Sequence, residues 1–222
     1  MVRRRTAVSI AAAGLLLAAP ALTACGSGPA HPGAAAVVGD HRITVSSLET
    51  AVNDLRSAAV KSPQGQQLLD AAGNLSTQML GRLVADQVLQ QALSDARISV
   101  SNGEVQQDRQ AALAQFSGNE AQLNSTLLVN YGVAPNDIDH FFYRDVASGK
   151  LIQSLGYQPG SDGGNTALAQ TISKAAASLG VTVNPRYGAW DAKKATIATL
   201  KDPWVVDKTP VAAAVTTGNS GT

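Results

Sequence analysis

Apolar residues recur at helical spacing through most of the chain, and five or more helices follow from that rhythm. Leu48, Val52, Leu55 and Ala59 line one face of a segment running from Ser46 to Val60. Ser46 and Glu49 form an S-x-x-E capping arrangement at its start, and Ser62-Pro63 ends it. A longer helix is predicted from Leu75 to Ala96. Leu75, Met79, Leu83, Val88 and Ala92 mark one stripe, and Leu80, Val84, Leu89 and Leu93 widen it. A stripe that wide fits a helix with neighbours on two sides, so this is the expected central helix. Ser101 and Glu104 open a third helix that runs to Phe116. Its lead-in, Ile98-Ser99-Val100, echoes Ile43-Thr44-Val45 ahead of the first helix, a coincidence of common helix starts rather than a duplication. A helix over Asn119–Asn130, with Leu123 and Leu127 on one side, stops at Tyr131-Gly132. Another covers Pro135–Leu155, with Pro135 in its first turn and Asp137 near its positive end.

Strand signals are short and lie at the two ends of the helical run. Ala34–Val45 reads as a hairpin turning at Gly39-Asp40. The glycine-rich stretch 157–165 reads as a flexible linker, followed by a closing helix over 166–180 and a short strand, Val181–Val183. That strand is expected to pair with the hairpin, since alone it leaves its backbone groups unsatisfied. The fold class is therefore mainly α: a helical domain over 35–190, with a short N-terminal β-hairpin joined by a C-terminal strand. Residues 207–222 decay into alanine, threonine and glycine and read as a disordered tail.

Composition narrows the chemistry. The 222 residues are 45% hydrophobic, 15% charged and only 4% aromatic, with a formal net charge of +1. That balance argues against a nucleic-acid partner held by a basic face. A single cysteine excludes an internal disulfide, and with three histidines it gives no expectation of a metal site. Neither a GxxxxGK[ST] phosphate loop nor a GxSxG elbow occurs, and no cofactor is implied.

The first 24 residues read as a signal peptide. Arg3, Arg4 and Arg5 precede an apolar run from Ala7 to Ala21 that is too short to span a bilayer comfortably. It ends in Leu22-Thr23-Ala24-Cys25, which resembles the lipobox of bacterial lipoproteins. The resemblance implies cleavage before Cys25 and acylation of its thiol. Two or three acyl chains, at about 0.8 kcal/mol per buried CH2, hold a protein stably on a membrane. The expected place is the extracytoplasmic face of the cell membrane, lipid-anchored, with residues 25–34 as a flexible tether. The other reading is a secreted protein with an incidental cysteine. Loss of the three arginines reduces the 17 basic residues to 14 against 16 acidic ones, a net charge of −2, so no polybasic patch adds a second anchor.

Few residues invite a catalytic reading. His140 lies beside Asp139 and near Asp145, but neighbouring helical positions point about 100° apart, so it reads as a solvated surface histidine. Asp54, Asp70, Asp86, Asp95 and Asp108 read as solubility charges. Arg186, Tyr187 and Trp190 form the most unusual patch. Aromatic and arginine side chains together anchor bound polypeptides in many interfaces; equally, these rings can cap the end of a helical core.

AAAVVGDHRITVSSLETAV, through Val37, Val38, Gly39, Asp40, Ile43 and Thr44, resembles the start of the SurA N-terminal-like family of extracytoplasmic chaperones. ISVSNGEV and FSGNEAQLNSTLLVNYGVAPNDI are similar to later segments of that family, and VTVNPRYGAWD resembles short actinobacterial lipoproteins of this kind. The resemblance covers roughly residues 35–156. Family members often carry a parvulin-type prolyl isomerase domain after these helices, and the short stretch 157–165 leaves no room for one. The resemblance thus implies a non-catalytic module that binds unfolded or exported polypeptide segments. The rival readings are an adaptor lipoprotein with one dedicated partner and, further off, a prolyl isomerase.

Overall fold

The computed structural model describes residues 32–71 and 73–198. The expected signal peptide over 1–24, Cys25, most of the expected tether and the expected tail over 207–222 lie outside the described residues. Ala34, the last tether position, already belongs to the first strand.

Strand β1 (Ala34–Val38) turns at Gly39 and Asp40 into β2 (His41–Thr44), antiparallel to it. Gly39 holds φ at +56°, a conformation that glycine adopts without strain. β3 (Val181–Val183) pairs antiparallel on the other side of β1, giving the order β2-β1-β3. The hairpin and the distant C-terminal strand therefore meet as the unsatisfied-backbone argument requires.

Helix α1 (Val45–Val60) follows β2 without a loop. Its cap is Thr44, whose hydroxyl oxygen accepts from the Ser47 amide at 3.0 Å. The Ser46–Glu49 pair expected there is not the cap. The strand enters the helix directly, so Ser46 already lies in the first turn. Helix α2 (Gly65–Ala71) was not expected; its seven residues are too few to show a period. At Gly65 a Cβ would stand 1.9 Å from the Ala59 carbonyl oxygen, so this tight return onto α1 depends on glycine.

Helix α3 (Leu75–Asp95) is the central one, touching α1, the sheet, and two later helices, α6 (Ile138–Ser154) and α7 (Asp162–Leu179). Between these lie α4 (Asn102–Gln115) and α5 (Glu120–Tyr131). Ser101 and Glu104 form the expected capping box on α4, and Gly132, at φ +61°, closes α5. Pro135–Asp137 forms a 3-10 turn before α6. The closing helix starts four residues earlier than the linker reading allowed. Ser161 accepts from the Gly164 amide, and Asp162, Gly163 and Gly164 lie inside the first turn of α7. These glycines serve close packing. A Cβ on Gly164 would stand 2.8 Å from both the Gln158 carbonyl oxygen and Ile152 Cγ2.

A small second sheet, β4 (Ala189–Asp191) with β5 (Thr196–Ala198), also went unforeseen, because each strand has only three residues.

Buried side chains form two clusters. The main core joins the three-stranded sheet, α1, α3, α7 and the C-terminal half of α6, with Val38, Leu48, Leu80, Val84, Val88 and Leu151 fully enclosed. Each such side chain contributes about 1.5–3 kcal/mol on burial. The second cluster is smaller: Val105, Leu123, Leu127, Val133, Ile138 and Phe142, from α4, α5 and the start of α6.

Candidate functional site

The two clusters leave a groove where α1, α3, α5 and the start of α6 meet. On α3, Met79, Arg82, Leu83 and Asp86 fall at helical spacing and share one face. This face is the common wall of two adjoining clefts, since Met79 and Arg82, with Gly132, line both.

The first cleft, of about 220 Å³, mixes leucine and methionine side chains with Gln78 and Asn130. Leu55 of α1, Leu68 of α2 and Leu75 of α3 form its floor, and Tyr131, 56% exposed, stands at its edge. The second, of about 150 Å³, has Ala51, Met79 and Leu83 below a polar rim of Asp54, Asn136, Asp137 and His140.

Arg82 separates the two clefts. Its Nη1 donates to the Gly132 carbonyl and its Nη2 to that of Tyr131, each at 2.7 Å. These carbonyls end α5, where the helix dipole favours a cation. Burial, and then the charge of Arg144, lower the Arg82 pKa below the ordinary guanidinium value.

Asp86 is nearly buried and faces two groups from α6: His140 Nε2 at 3.1 Å and Arg144 Nη1 at 3.4 Å. Arg144 Nη2 also lies 3.7 Å from Asp137. The hydrogen bond with Asp86 is the main cause that raises the His140 pKa; burial works against it. The His140 ring stacks on Tyr143, at 5.8 Å between centroids, and the Tyr143 hydroxyl accepts from Gln90 at 2.9 Å. Asp54 accepts from the Asn136 side-chain amide at 2.8 Å.

The structure corrects the sequence reading at His140, Asp86 and Asp108; Asp108 is no solubility charge, since one of its carboxyl oxygens is buried and Asp145 faces it. His140 is paired, and its partner is Asp86, not Asp139 or Asp145. Asp86 is a nearly buried member of a charge network and not a solubility charge. The partners sit on different helices, beyond the reach of local spacing. A signal was present in the sequence: Arg82 and Asp86 interrupt the apolar stripe of the central helix.

None of the aromatic-patch residues lines either cleft. Tyr187 is buried in the main core, and its carbonyl accepts from the Thr77 hydroxyl at 2.9 Å. The Arg186 guanidinium lies 5.8 Å from the Tyr187 ring centre. Trp190 is half-buried on β4 and packs against the main core.

The residues lining the two clefts include no serine, threonine, cysteine or lysine. Among the described residues no three His, Cys, Asp or Glu side chains come together as metal ligands, and no helix is long and apolar enough to cross a membrane.

A family model described as the SurA-like N-terminal domain matches residues 1–137. That span supplies every residue of the first cleft and all of the second except His140. No curated protein and no solved structure matches the chain.

Proposed function

The chain belongs to the SurA-like N-terminal domain family, and from that premise we propose a non-catalytic, chaperone-like module that binds extended or unfolded segments of exported polypeptides. The observation that carries this reading is the groove itself. The Tyr131 ring is 56% exposed beside half-buried Leu68, at the mouth of a cleft that reaches down to the core residues Leu55 and Leu75. Such surface suits weak, reversible contact with apolar side chains of many sequences. Acylated Cys25 holds the module at the extracytoplasmic face of the cell membrane, within reach of emerging chains.

The test is suppression of aggregation of a chemically unfolded protein by the purified chain. Aggregation falls in proportion to added chain, and Tyr131→Glu with Leu68→Glu removes the effect while far-UV circular dichroism stays unchanged. Absence of any suppression by the unaltered chain would overturn the reading. A proline cis/trans assay on a model peptide gives no rate above background. Mass spectrometry of the processed protein finds acyl chains on Cys25.

A further inference from the structure

We propose that the groove selects segments pairing an apolar side chain with a cationic one, the cation seated against Asp54; this rests on the polypeptide-binding reading and names its client chemistry. In the second cleft the native cations are already engaged. Arg82 faces the carbonyls that end α5, while His140 and Arg144 face Asp86, with Arg144 also near Asp137. Asp54 differs. Its contact is the neutral amide of Asn136, and among the described residues no cation lies within ion-pair distance of it.

Below that carboxylate the cleft floor is Ala51, Met79 and Leu83. An apolar floor under an acidic rim matches a lysine or arginine side chain, whose alkyl stem packs while its head stays wet. The neighbouring cleft takes the companion apolar side chain against Leu68 and the exposed Tyr131 ring. Met79 and Arg82 line both clefts, so the two seats adjoin. Residues i and i+2 of an extended segment point to the same side about 6.6 Å apart, so neighbouring same-side side chains can enter adjoining seats. An acidic residue at the second position meets Asp54 as a like charge and is disfavoured.

The experiment measures fluorescence anisotropy of three labelled, unstructured peptides on the full-length chain. The peptides are identical except that Lys, Gln or Glu stands two residues after a leucine. The unaltered chain binds the Lys peptide about two- to fivefold more tightly than the Gln peptide, in line with a half-exposed ion pair, and the Glu peptide more weakly still. Added salt narrows the spread. Asp54→Asn flattens the order and Asp54→Lys reverses it, with circular dichroism confirming that both variants fold. Equal binding of all three peptides would overturn the proposal and leave the polypeptide-binding reading standing. An order that Asp54 substitutions leave untouched would overturn it as well. Binding of none of them would remove the polypeptide-binding reading itself.

Discussion

Asp86, His140 and Arg144 bring charge into the contact between α3 and α6, and their cost depends on pH. The hydrogen bond to Asp86 raises the His140 pKa above its ordinary 6.5. A group raised in the folded state contributes stability that is fully present below its unfolded value and is lost as pH rises through the folded one. Urea denaturation therefore shows the unaltered chain losing more stability between pH 6 and pH 8.5 than His140→Gln does. Equal losses would remove His140 as the cause. Asp108 on α4 behaves in the opposite sense to a paired carboxylate. Burial first, and then Asp145 on α6, push its pKa up, and one carboxyl oxygen is buried without a partner. Asp108→Asn is expected to raise the urea midpoint at pH 7, because the neutral amide removes the repulsion. Gly164→Ala acts sterically. Its new methyl group meets Ile152 and the Gln158 carbonyl at 2.8 Å, and the overpacking costs about 1–3 kcal/mol in the same measurement.

Whole helices follow from the sequence where they are long and periodic, and their ends follow where a cap has room to form. The S-x-x-E grammar appears three times, at Ser46, Ser101 and Ser117, but only Ser101 and Glu104 form the box, and Asn119 caps α5 in place of Ser117. At α1 the preceding strand shifts the cap to Thr44. Ser101→Ala thus costs about 1 kcal/mol of stability, while Ser46→Ala, exposed in the first turn, changes little. Thermal denaturation of the pair checks this. Glycine was the least legible residue. In Gly163-Gly164 the lack of a side chain serves a close helix start, although runs of glycine commonly mark flexible linkers. α2, β4 and β5 are too short to carry a period, so tertiary contacts alone fix them. Of the groove, α1 and α3 were legible as apolar faces. The Asp86–His140 pair was not, because it joins helices about fifty residues apart in sequence.

For the whole molecule, the two cores divide the stability unevenly. The main cluster holds 22 buried residues and the α4–α5 cluster six, so the latter is expected to open first. Native-state hydrogen exchange should show amides of α4 and α5 exchanging through a smaller opening than those of α3. A single shared opening for all three helices would contradict the division. Polar contacts join the clusters through Arg82 to the end of α5, Asp86 to α6 and Lys150 to both Ser99 and Glu104, alongside Val100 and Tyr143, which pack against both.

β1 is the middle strand of its sheet and the first element after Gly33, with hydrogen-bonded neighbours on both flanks. A load applied along the axis of β1 meets a strand gripped from two sides. Those rungs share the load in shear and do not unzip one by one. A pull along β1 is thus borne by the sheet before it reaches the helices behind it.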